Sequence, residues 1–261
     1  MLPDTIFEKT TLVSNEPIYI HKSKRDVRLM LQFPGRRCNV VQLGRMSYED
    51  ALELQEDIAK ARRDTRIEDT LLLLEHPPVI TIGRSGDSKN ILASREILER
   101  ERIQVYTVDR GGDVTYHGPG QLIGYPIINL ANHGKDVHLY VYGIEKSIVE
   151  LLKREYAVES DIVRGYVGVW YRNEKIAATG ITVRSWITTH GFALNVDPDM
   201  NRFAMIHPCG IRDKGVTSLS KILNRKVTVD EVAKKYPKYF GETFGLDPYE
   251  ITLEELMGCL R

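Results

Sequence analysis

The spacing of apolar positions along the chain changes period several times, and each change marks a new element. Residues 40–43 (VVQL) read as a strand. Ser47, followed by Glu49 and Asp50, has the form of a helix N-cap with acids in the first turn, and it predicts a helix to about Arg63. Residues 71–74 are a fully apolar run ended by His76-Pro77-Pro78, and residues 79–83 (VITIG) are another strand. Residues 94–101 predict a short amphipathic helix. Residues 103–108 alternate as a half-buried strand does, and residues 122–128 are β-rich and almost wholly apolar. Asp136 caps a predicted helix to about Tyr156, with Val137, Tyr140, Val141, Ile144, Ile148, Leu151 and Leu152 at helical spacing on its buried face. Residues 167–171 and 175–183 predict a hairpin about the turn Arg172-Asn173-Glu174, residues 186–196 a further strand, and a last helix opens near Val229. Strands grouped together with a few helices beside them predict an α+β layered domain rather than a regular βαβ winding.

Composition narrows the class. The 261 residues are 42% hydrophobic and 28% charged, which suits a globular protein with a sizeable core. Their formal net charge of zero argues against a nucleic-acid binder working by bulk electrostatics. No apolar run is long enough to span a membrane and no secretory core opens the chain, so the expected location is cytoplasmic and no membrane partner is expected. The cysteines Cys38, Cys209 and Cys259 are odd in number and widely spaced, as free thiols in a reducing compartment would be. Residues 1–38 show little periodicity and carry a basic cluster; they read as an N-terminal extension, disordered or an added edge element. The catalytic domain is expected over residues 39–261.

The densest chemical signal is Arg110-Gly111-Gly112-Asp113-Val114-Thr115-Tyr116-His117-Gly118-Pro119-Gly120-Gln121. It reads as a rigid polar loop between two strands, one that lets a ligand approach the main chain. It is not a phosphate-binding P-loop, because no Gly-Lys-Ser/Thr closes it, and no G-x-G-x-x-G opens a helix. Cys209, between Pro208 and Gly210, is a candidate nucleophile, and a cation near it would favour the thiolate. Lys175 is the candidate cation. Taken alone, Cys209 reads as a plain core cysteine and Lys175 as a solvated strand lysine.

Four motifs in order change that reading. The glycine segment is followed by Lys175-Ile176-Ala177-Ala178-Thr179-Gly180, then Thr189-His190-Gly191-Phe192-Ala193-Leu194-Asn195, then Pro208-Cys209-Gly210. Together, over roughly residues 39–225, they closely resemble the lipoyl(octanoyl) transferase (LipB-type octanoyltransferase) family. The stretch from Leu74 to Gly83 resembles that family's first strand pair. The resemblance implies the biotin/lipoate protein ligase catalytic fold, a mixed β-sheet with flanking helices. It implies transfer of an octanoyl group from octanoyl-acyl carrier protein to a specific lysine of lipoyl domains, the first step of endogenous protein lipoylation, with no cofactor and no metal. By the same resemblance, Cys209 would carry the acyl thioester and Lys175 would activate it. The acyl pocket would be lined by Arg110 to His117, by Ala178, Thr179 and Gly180, and by Gly191, Phe192 and Ala193.

The chemistry is self-consistent. A thioester donor is already activated, so moving its acyl group to a thiol needs a thiolate and no nucleotide. An eight-carbon chain has about six or seven methylenes; at ~0.8 kcal/mol each, burial contributes about 5 kcal/mol before ordering costs. His117 stands below Lys175 as a candidate base, and His207-x-Cys209 is poor metal spacing. Since both partners would be acidic carrier domains, a basic rim using Arg84, Arg110, Arg184 or Lys214 is expected. The rival readings are an ATP-dependent lipoate ligase of the same fold, an amidotransferase moving lipoyl groups between carriers, a non-catalytic carrier-binding scaffold, and a cysteine hydrolase.

Overall fold

The computed structural model describes residues 36–207 and 214–261. Its principal layer is a mixed sheet of strands β1 (Arg36–Arg45), β2 (Asp69–Glu75), β6 (Gln121–Ile127), β7 (Val169–Tyr171), β8 (Glu174–Arg184), β9 (Ile187–Asn195), β10 (Gly215–Val216) and β11 (Leu246–Glu250). The order is β10-β8-β9-β6-β2-β1-β11, with β7 also paired to β8. The neighbours of β1 run parallel to it, whereas β2, β6, β9 and β8 pair antiparallel in turn. A second sheet is made of β4 (Gln104–Thr107), β3 (Val79–Ile82) and β5 (Val114–His117).

β2 lies near the middle of the large sheet, which is why its sequence is apolar without interruption. Leu71 and Leu73 enter the core on one face, and Leu72 and Leu74 enter the core on the other. On the first face pack α3 (Val137–Tyr156) and α5 (Val229–Phe244), and on the second α1 (Tyr48–Arg63) and the C-terminal α6 (Leu253–Leu260). Two shorter helices, α2 (Arg95–Arg100) and α4 (Leu219–Leu223), lie between these elements in sequence. The expected caps form: Ser47 accepts from the Asp50 amide at 3.0 Å and Asp136 from the Leu139 amide at 2.9 Å. None of the helices of the described residues is long and apolar enough to cross a membrane.

Several elements differ from the sequence reading. The glycine segment is not one continuous loop: Val114–His117 is β5, paired antiparallel to β3. Strand β4 sits at the edge of the small sheet and is largely exposed, not half-buried. On α3, Val137 and Val141 pack against the core but are only partly buried, because they also line a cavity. Strand β1 includes Arg36–Arg45, so Cys38 is a buried residue of the sheet. Strand β11 and helices α4 and α6 were not predicted.

Candidate functional site

The cavity, of about 290 Å³, opens where the glycine segment crosses β8 and α3 lies alongside. The Gly111 amide donates to the Ile181 carbonyl at 2.9 Å, and the Thr182 hydroxyl donates to the Asp109 carbonyl at 2.7 Å. These bonds join the small sheet to the free stretch of β8. Beneath them, β8 and β9 pair Gly180 with Gly191 and Ala178 with Ala193. The paired positions carry almost no side chain, and the volume they leave is the cavity.

Of the pocket residues expected from the sequence, Arg110, Gly111, Gly112, Asp113, Val114, Thr115, His117, Ala178, Thr179, Gly180, Gly191, Phe192 and Ala193 line this cavity, and so does Lys175. Tyr116 does not. It alternates to the other face of β5, where its ring meets Phe203 edge-on at 5.7 Å in a separate core. Pro208, Cys209 and Gly210 lie outside the described residues. Gly215 and Val216, which follow that motif in sequence, form β10 and pair in parallel with Glu174 and Lys175.

Most polar side chains of the glycine segment serve its own architecture. Arg110 is 8% exposed and donates to the Thr81 carbonyl and hydroxyl and to the Gly111 and Asp113 carbonyls, at 2.8–3.0 Å. It is therefore a buried staple and not part of a basic rim. Asp113 accepts from the Val114 amide at 2.7 Å and from the Asn90 side chain at 2.6 Å. Gln121 donates to Asn195 at 2.9 Å and accepts from His117 Nδ1 at 3.2 Å. Burial, reinforced by His76 and Arg110, holds the His117 imidazole well below its usual titration range, so it is neutral, with Nε2 as its acceptor nitrogen. Behind it, His76 donates from Nδ1 to the Met46 carbonyl and accepts on Nε2 from the Tyr125 hydroxyl at 2.8 Å; burial lowers its pKa to about 4.

Lys175 stands at the start of β8. Its Nζ lies 5.0 Å from the centre of the buried Trp170 ring, and Lys214 approaches the same ring at 5.4 Å. Gly168 flanks the lysine stem with φ at +116°; a Cβ there would lie 2.5 Å from the Ala177 carbonyl oxygen and 3.4 Å from the lysine Cδ and Cε. Gly124 is required for a different reason. A methyl group on it would overlap the Phe192 ring, which lies across the paired strand and forms part of the cavity wall.

The sequence reading passed over Tyr48, Tyr125, Val137, His138, Val141, Tyr142, Glu145, Val167 and Ile181, all on the cavity wall. A signal for three of them was present: Val137, Val141 and Glu145 follow each other at intervals of four along α3, which places them on one line of the helix. Among the described residues no group of three or more His, Cys, Asp or Glu side chains is arranged to hold a metal ion.

A mixed sheet between helices, with a cavity framed by three separate small-residue segments and one lysine, defines a small-molecule or acyl-group site on an α+β scaffold. Residues 47–241 match the model of the lipoyl protein ligase A/B catalytic domain, and the chain belongs to that family. Its relatives include the octanoyltransferase of Caldicellulosiruptor saccharolyticus, 51% identical over 86% of this chain and 96% of that protein. Another is the octanoyltransferase of Desulforamulus reducens, 44% identical over 84% of this chain and 97% of that protein. Among solved structures, a lipoate-protein ligase A bound with ATP superposes with a TM-score of 0.69 at 18% identity, covering 87% of this chain and 93% of that one. A bipartite lipoate protein ligase from Thermoplasma acidophilum gives 0.68 at 16% identity, covering 87% and 91%. At that identity the structural likeness establishes the fold alone.

Proposed function

We propose that this chain is an octanoyltransferase, moving an octanoyl group from the thioester of an acyl carrier protein to a lysine of a lipoyl domain through a thioester on Cys209. The observation that carries the reading is convergence. Segments 110–117 (apart from Tyr116), 178–180 and 191–193, far apart in sequence, wall one cavity that also receives Lys175. Small and apolar walls suit an alkyl chain, whose burial contributes about 0.8 kcal/mol per methylene.

In the first half-reaction the Cys209 thiolate attacks the donor carbonyl. The carbon–sulfur bond to the carrier breaks, and the departing thiolate takes a proton from the Lys175 ammonium. In the second, the acceptor amine attacks the Cys209 thioester and its proton passes to Lys175. The bond to Cys209 breaks, leaving an amide and a thiolate ready for another cycle. The sum is thioester plus amine giving amide plus thiol, and no nucleotide enters the balance. Neutral His117 contributes a hydrogen-bonding edge to the cavity.

Intact-mass measurement after incubation with octanoyl-acyl carrier protein and no nucleotide tests this. One added octanoyl group is expected, absent in Cys209→Ala. Labelling that survives this change would refute the cysteine route, and a strict requirement for ATP would make the chain a ligase.

A further inference from the structure

Glu145 is a carboxylate in a place where carboxylates are rarely left. It is 2% exposed on α3 and lies on the cavity wall. Its Oε1 accepts from the Gly168 amide at 2.6 Å. Gly168 also leaves the space beside the stem of Lys175 open, since a Cβ there would stand 3.4 Å from the lysine Cδ and Cε. Lys175 is in turn the cation of β8 whose field reaches this carboxyl. Other titratable or charged groups lining the cavity are His138 and Tyr142 on the same helix, Tyr48 on α1, Arg110, Asp113 and His117 on the glycine segment, Tyr125 on β6 and His190 on β9.

We propose that Glu145 is a positioning residue for Lys175: it anchors the Gly168 backbone that flanks the lysine stem and supplies the negative charge that holds the ammonium at the cavity wall. The kinetic part of this inference rests on the octanoyl-transfer reading above; the pairing itself does not. Burial raises the carboxyl to about 7, against the opposing pull of the Gly168 amide, Lys175 and the Thr179 side chain, so Glu145 changes charge near neutrality. As pH rises through that value, the carboxylate forms and the wall beside Lys175 gains a negative charge.

Two measurements on the full chain test the pairing. Carbon-13 NMR of labelled glutamate side chains follows the Glu145 carboxyl, identified as the signal lost in Glu145→Gln. In Lys175→Met its midpoint is expected to move up by about 1 pH unit or more, since the stabilising cation is gone. In Glu145→Gln the amide oxygen can still accept from Gly168, so structure and donor affinity should persist. The neutral ionisation in the pH profile of octanoyl loading should be displaced or lost. A Glu145 midpoint unmoved in Lys175→Met overturns the proposal, and so does a Glu145→Gln loading profile that superimposes on wild type. Should the wild-type chain accept no octanoyl group, the transfer reading falls, and the carboxyl titration alone still decides the pairing.

Discussion

Arg110 offers a sharp test of how this site is built, because its guanidinium is directed at carbonyls of its own scaffold. Replacement by Met keeps much of the stem volume and removes every donor. The Thr81, Gly111 and Asp113 carbonyls and the Thr81 hydroxyl each lose a charge-assisted bond. Such bonds contribute about 1.5–3 kcal/mol each, but they share acceptors and the loop can turn some carbonyls to water, so they do not add. A loss of about 3–5 kcal/mol is expected, a large part of the ~5–15 kcal/mol that holds an ordinary domain together. Arg110→Lys should recover little, since an ammonium cannot present a fork to acceptors on several sides. Urea unfolding with the slope checked for constancy measures the loss, and hydrogen exchange at the Gly111 and Val114 amides locates it. A destabilisation below about 1 kcal/mol with unchanged exchange would show that the staple is dispensable and would return Arg110 to direct ligand contact.

Three further outcomes follow from the same geometry. Lys175→Met should slow single-turnover acyl transfer by about 10²–10⁴-fold with donor affinity nearly unchanged; a rate within tenfold of wild type would remove this lysine from proton transfer. Gly124→Ala should cost about 1–3 kcal/mol by overpacking against the Phe192 ring, and Phe192→Leu should relieve most of it; strict additivity in the double variant would show that the two do not meet. His76 is held neutral in the fold at about 4, whereas in the unfolded chain it titrates near ~6.5, so the unfolded state binds the extra proton first. Its contribution to stability is therefore complete above the unfolded value and is lost as pH falls toward about 4, on the order of 3 kcal/mol in all. His76→Gln should flatten that part of the stability profile, and an unchanged slope would contradict the burial argument.

What could be read from the sequence depended on how one-sided each element's environment is. Leu71–Leu74 announced a central strand because both faces of β2 are covered. The caps at Ser47 and Asp136 marked two helices to the residue. Strand β5 was hidden because Gly112, Gly118 and Gly120 flank it and its alternate residues Thr115 and His117 are polar, facing a cavity rather than a core. Reading those residues as a loop also erased the alternation that sends Tyr116 the other way. Strand β11 carries Asp247-Pro248 and, among the described residues, pairs only with β1; an edge tolerates a proline that a central strand would not, so its sequence does not look like a strand. The cavity residues came from motif resemblance, whereas Glu145 required knowing which line of α3 turns toward β8.

The electrostatics of the cavity also separate two candidates that sequence alone left in order of preference. A general base works best when its pKa lies near the working pH, because both its basic form and its appetite for the proton then count. His117 fails the second condition: burial and the neighbours His76, Arg110 and His190 hold its imidazole well below the usual range, and Gln121 fixes Nδ1 as the donor. It is available as a neutral hydrogen-bond partner but is too weak a base to draw a proton from an attacking amine near neutrality. The glycine segment thus contributes shape, rigidity and neutral polar edges. On β8, Lys175 has its ammonium 5.0 Å from the centre of the Trp170 ring and its stem beside the space that Gly168 leaves open, and in the proposed mechanism it is the residue that gives a proton to the departing thiolate and later takes one from the amine. That division of labour explains why a segment so rich in polar residues can be mostly scaffold.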